Sequence, residues 1–156
     1  MVIGIMEVKL VSAKGLKNTD FLGGIDPYVL LQYRKQECKS TIAKGKGTRP
    51  LWNEKFEFRV DSPFIDDDQH KLVLKIMDHD TFSADDYLGE AEIYVKDIIK
   101  IGMENGKAEL HLQKYRVVST DQTYHGEIQV GITFTAKEKT VEEEEEEYGG
   151  WKESDY

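Results

Sequence analysis

The chain holds a single cysteine, Cys38, in 156 residues. An internal disulfide is therefore impossible, and the composition suits a reducing compartment. With only four histidines beside that thiol, the nitrogen and sulfur ligands of a zinc centre are nearly missing. No apolar run approaches the ~18 residues of a membrane span. The opening MVIGIMEVKL has an early acid and no long apolar region, so it reads as a strand and not as a secretory signal. Val2 stands where myristoylation needs glycine, and the chain ends in Tyr156 without a prenylation box. KGKGTRP lacks the spacing of a phosphate-binding loop. These absences describe a cytoplasmic protein that reaches a membrane only by docking on its surface.

Acid is plentiful but unevenly spread. The net charge is -9, of which residues 137–156 carry -6, from nine acids against three bases. Residues 1–136 carry only -3. The expected division is a folded domain over 1–136 and an acidic tail over 137–156. The run Glu142–Glu147 should repel itself and stay disordered, as a solubilising tail or as a competitor for basic residues on the domain.

Period-2 alternation dominates the first part, the mark of half-buried strands. Met6, Val8 and Leu10 make one apolar face; Phe56, Phe58 and Val60 another; Leu72, Leu74 and Ile76 a third. Ala91, Ile93 and Val95 follow, then Leu110 and Leu112, then Ile128, Val130, Ile132 and Phe134. Two more strands fit residues 27–35 and 37–43, the first with Tyr28/Leu30 and Val29/Leu31 competing for the core. The sum is eight short strands, hence an all-β, eight-stranded antiparallel β-sandwich. Ile98 to Met103 fits one helical turn. In an up-down arrangement, connections one–two, three–four and five–six leave from the same end. KGLKNTDFLGGI, KGKGTRP and HDTFSADDY should therefore cluster at one pole.

The third of these connections contains DHDTFSADD, with Asp78, Asp80, Asp85 and Asp86 in nine positions. Like charges about 4 Å apart repel by roughly 4 kcal/mol at an effective dielectric near 20, so the stretch is either open to water or shares a cation. The first connection adds Asp20 and Asp26. Loop-borne carboxylates suit calcium, which takes six to eight oxygens in flexible geometry. An EF-hand is excluded because its sixth position is Ser83, its twelfth is Gly89, and strands flank it. Paired carboxylates also serve glycosidases, but five or more converge here without an evident cleft or aromatic subsite. No catalytic residue is assigned.

KGLKNTDFLGGIDPYV, RPLWNEKFEF and DHDTFSADDYLGEAEI, in this order and spacing, resemble a C2 domain across residues 1–136. The opening MEVKLVSAKGL and the late GWK are similar to small single-C2 plant proteins of the elicitor-responsive and phloem-protein group. Beginning directly at this strand implies the type II strand order. The resemblance implies two or three calcium ions held by Asp20, Asp26, Asp78, Asp80 and Asp86, with the backbone carbonyls of Thr19 and His79. Asp85 falls behind the ligands. It further implies binding to anionic phospholipid, with relocation from cytoplasm to plasma membrane when calcium rises in defence-linked signalling. Two calcium ions would take residues 1–136 from -3 to +1, all at one end.

Phe21, Leu22 and Phe82 lie among the ligands and either cover loop backbone or insert below the headgroups. Lys39, Lys44, Lys46 and Arg49 form a basic group that either blunts a sheet edge or grips phosphates. The alternative function is an RNA-binding or protein-adaptor role through that group. A pI near 5.0 and the want of a recognition motif or stacking platform weigh against RNA. Trp52 and Phe56 read as core, and the protein as a monomer.

Overall fold

A computed structural model of the chain describes residues 2–17, 24–44, 47–61 and 70–137. Thr19, Asp20, Phe21, Leu22, Lys46 and the acidic tail beyond Lys137 lie outside the described residues. Among the described residues there are eight strands: β1 (Val2–Lys14), β2 (Pro27–Tyr33), β3 (Gln36–Lys39), β4 (Leu51–Asp61), β5 (Lys71–Asp78), β6 (Asp86–Tyr94), β7 (Lys107–Val118) and β8 (Tyr124–Ala136). One helix, α1 (Lys96–Asn105), joins β6 to β7. All pairings are antiparallel, in the order β3-β2-β5-β6-β7-β8-β1-β4. β6 and β7 touch through the single pair Glu90↔Val118, so the order divides into two four-stranded sheets. β1 lies between β4 and β8, as the type II order requires.

The core is what the alternation places between the sheets. Met6, Val8, Leu10, Phe58, Val60, Leu72, Leu74, Ile76, Ile128, Val130 and Phe134 are all fully buried. In β2 the open choice resolves toward Val29, Leu31 and Tyr33, which have no exposure, while Leu30 is half-buried. Trp52 is core, and Phe56 packs on it half-buried. The edges β3 and β4 are tied through a side chain. Gln36 donates from Nε2 to the Arg59 carbonyl at 2.6 Å and accepts the Arg59 N–H at 2.8 Å. Two edges that would otherwise offer bare backbone are thus partly covered.

Three expectations need correction. The strand expected over 37–43 ends at Lys39, because the Ser40 N–H turns to the Val29 carbonyl and its hydroxyl accepts the Val29 N–H. Leu112 is exposed, not core, because a bulge between Leu110 and Gln113 shifts the face that β7 buries. Finally, α1 runs ten residues instead of one turn. Its N-cap is Val95, with no side-chain hydrogen bond, so the usual start signal is missing. The helix persists because Ile98, Ile99 and Gly102 face the core.

Candidate metal-binding pole

The odd-to-even connections do meet at one end, and backbone hydrogen bonds stitch them together. The Leu16 N–H reaches the Thr48 carbonyl at 3.5 Å, joining the first connection to the second. The Ala43 N–H donates to the Pro27 carbonyl at 2.9 Å. The His79 N–H donates to the Asp26 carbonyl at 3.0 Å, joining the first connection to the third. In return the Asp26 N–H donates to Asp78 Oδ1 at 2.9 Å. Residues 52 apart in sequence therefore share a reciprocal clasp at the ends of β2 and β5.

Asp78 and Asp86 are direct cross-strand partners where β5 meets β6, and Pro27 is the partner of Asp78 on β2. Like charges placed directly opposite destabilise a ladder. Asp78 is also buried, at 6% exposure, where an uncompensated carboxylate is costly. Asp26, Asp80 and Asp86 form no ion pair with a lysine or arginine among the described residues. A set of hard oxygen donors with excess negative charge is the chemistry that calcium takes. Among the described residues, no three His, Cys, Asp or Glu side chains group closely enough to hold a metal. Asp20, which the resemblance places in the set, lies outside them.

The third connection is organised by its own acids. Asp80 Oδ1 accepts the N–H groups of Phe82 and Ser83 at 2.9 and 3.2 Å, and Oδ2 accepts the Ser83 hydroxyl at 2.7 Å. This side-chain-to-backbone turn leaves Phe82 at the tip with 97% exposure. Asp85 Oδ1 accepts the Asp80 N–H at 2.9 Å, and Oδ2 accepts the Tyr28 hydroxyl at 2.5 Å. His79 Nδ1 lies 3.5 Å from Asp85. Asp85 thus binds loop to strand, while Asp80 is folded onto its own turn. The Ser83 hydroxyl, then the Phe82 N–H, holds the Asp80 carboxyl below the usual range. The Tyr28 hydroxyl, then the Asp80 N–H, does the same for Asp85. Burial first, and Asp85 second, pushes the Tyr28 hydroxyl up to about 12. Both carboxylates remain charged at neutral pH.

The basic group divides. Lys39 Nζ lies 4.6 Å from the centre of the Tyr28 ring, Lys44 is exposed, and Arg49 lines a separate groove with Lys14 and Arg116. A fourth connection, Ser119–Thr123 between β7 and β8, shares this pole: Lys17 of the first connection pairs with Asp121 at 3.6 Å. The parity rule applies equally to strands seven and eight, so the signal was present in the order of strands. Leu51 and Tyr124 also stand 54% and 63% exposed at strand ends here. Leu51 lies within RPLWNEKFEF and Tyr124 in no motif, and only their place in the fold brings both to the pole.

An antiparallel β-sandwich of this strand order, with acids from separate connections at one end, defines the class of protein. The C2 domain family model matches residues 4–113, and the chain belongs to that family. It is 54% identical over 151 residues to elicitor-responsive protein 1 of Oryza sativa subsp. japonica, covering 95% of this chain and 94% of that one. It is 46% identical to 16 kDa phloem protein 1 of Arabidopsis thaliana, covering 99% and 98%. Among solved structures, a C2 domain-containing protein from a putative elicitor-responsive gene aligns with TM-score 0.68 and 40% identity, covering 89% of this chain and 93% of that one.

Proposed function

We propose that the protein is a non-catalytic module that docks on anionic phospholipid membranes when calcium is available. The observation that carries this reading is the meeting of Asp26, Asp78 and Asp86 at adjacent strand ends, on the pole where Phe82 is bare. The residues that would hold calcium are Asp26, Asp78, Asp80 and Asp86, with Asp20 and the carbonyls of Thr19 and His79. Asp80 would turn outward from Ser83 to join them. Bound there, calcium supplies positive charge where the chain has an excess of carboxylate. The pole then attracts anionic lipid in the manner of an electrostatic switch. Phe82 adds an apolar anchor, and the exposed Lys44 and Arg49, with Lys46, lie in the neighbouring connection. Membership of the family and likeness to elicitor-responsive proteins support a signalling role, in which the chain moves from cytoplasm to plasma membrane.

Sedimentation with phosphatidylserine vesicles, in calcium or in chelator, tests the reading. Binding is expected in calcium alone. Asp80→Asn should raise the calcium requirement about ten- to a hundredfold. Phe82→Ala should weaken vesicle binding about ten- to a hundredfold, since a fully buried side chain contributes about 1.5–3 kcal/mol. Its calcium affinity without lipid should be unchanged. No vesicle binding in calcium, or RNA retention without calcium, would reverse the conclusion.

A further inference from the structure

We infer that the β1-β8-β7 end of the second sheet carries a separate site for the phosphomonoester of a lipid headgroup. It is built from Lys14, Arg49, Arg116 and Tyr124, and the inference rests on the membrane reading above. These side chains line an open groove of about 530 Å³. They come from three strand ends and the second connection, so no stretch of sequence displays them together. Lys14, Glu127 and Arg116 form one cross-strand row, since Glu127 is the register partner of both bases.

The charge in the groove is not cancelled. Among the described residues Glu127 is its single carboxylate, and it pairs with Lys14 at 3.3 Å. Arg49 is exposed and forms no ion pair among the described residues. Arg116 lies 5.1 Å from the centre of the Tyr124 ring. Stacking on an aromatic face fixes the guanidinium plane while leaving its N–H fork free for an anion. The floor is bare backbone. A Cβ on Gly126 would stand 2.4 Å from the Lys14 carbonyl, and one on Gly15 would stand 3.3 Å from Gly126 Cα. Both glycines have φ near +70° to +90°, so the two chains close on one another only without side chains. A planar arginine fork beside two further cations suits a phosphate monoester, which carries more charge than a diester. The groove opens at the pole that the proposed function turns toward the membrane, so a lipid headgroup is the source it would meet.

The test uses the full chain and phosphatidylcholine vesicles containing phosphatidylinositol bisphosphate, with phosphatidylserine vesicles and soluble inositol trisphosphate as comparisons. Wild type should bind the phosphoinositide vesicles even in chelator. Arg116→Gln and Lys14→Gln should each weaken that binding about tenfold, while calcium-dependent binding to phosphatidylserine stays within about twofold. Glu127→Gln should bind the phosphoinositide vesicles more tightly, an effect of opposite sign that a folding defect cannot imitate. Unchanged phosphoinositide binding in all three variants overturns the site. So does wild-type binding of the soluble inositol phosphate without the vesicles. Loss of calcium-dependent phosphatidylserine binding in wild type would defeat the docking proposal alone, because the chelator arm still reads the groove.

Discussion

At the residue scale, side chains in this protein do different work from what their spacing suggests. Asp85, one of four acids in nine positions, is the loop's fastener, held by Tyr28 from another strand. Asp80 is held by Ser83 and two backbone amides, so its carboxylate is already paired without a cation. Asp121 is fixed more firmly still. The Ser119 hydroxyl, the Thr123 hydroxyl and the Thr123 N–H donate to it at 2.5, 2.5 and 3.1 Å, and Lys17 lies nearby. These contacts hold its carboxyl well below the usual range, the Ser119 hydroxyl first. The native state therefore binds this proton less readily than the unfolded chain. Its contribution is present above the unfolded value near 3.9 and is lost as pH falls toward the lower native value. Thermal melts in chelator from pH 6 downward should show Asp121→Asn losing less stability on the acid limb than wild type. Parallel acid limbs would mean that the turn contributes nothing to pH-linked stability.

At the element scale, the two ends of the sandwich have separate duties. One end carries four connections tied by backbone bonds and an ion pair. The other carries α1, whose fully buried Ile99 joins the core. Ile99→Ala should cost about 2–5 kcal/mol, the range for deleting a buried aliphatic side chain, read as a lower denaturant midpoint. Vesicle binding below the melting temperature should stay within about twofold, because the helix does not reach the pole. A parallel loss of both would mean that the ends are energetically coupled.

At the scale of the whole molecule, charge is the governing quantity. The net -9 is concentrated in the last twenty residues, which hold -6. On the proposed reading, calcium at the pole would change the sign of the domain, whereas the poly-Glu run Glu142–Glu147 would oppose the approach to anionic lipid. Truncation after Lys139 should lower the calcium concentration for half-maximal vesicle binding, and the difference should shrink as salt screens it. An unchanged requirement would leave the run as a solubilising segment only. No helix among the described residues is long and apolar enough to cross a membrane.

Local periodicity alone was enough to determine a two-layer β fold here, since a strand with one apolar face must bury it. Strand parity then determined that three acidic or basic connections share an end. The tertiary structure decided what depends on distant neighbours. It chose Val29, Leu31 and Tyr33 for the core face of β2, turned Leu112 outward through a bulge, and kept α1 without a capping side chain. It also paired Asp85 with Tyr28 and gathered Lys14, Arg49 and Arg116 around one groove. Periodicity reports which face of a strand is dry. Which side chain meets which is set by register across strands, and register is a property of pairs of strands that no single segment contains.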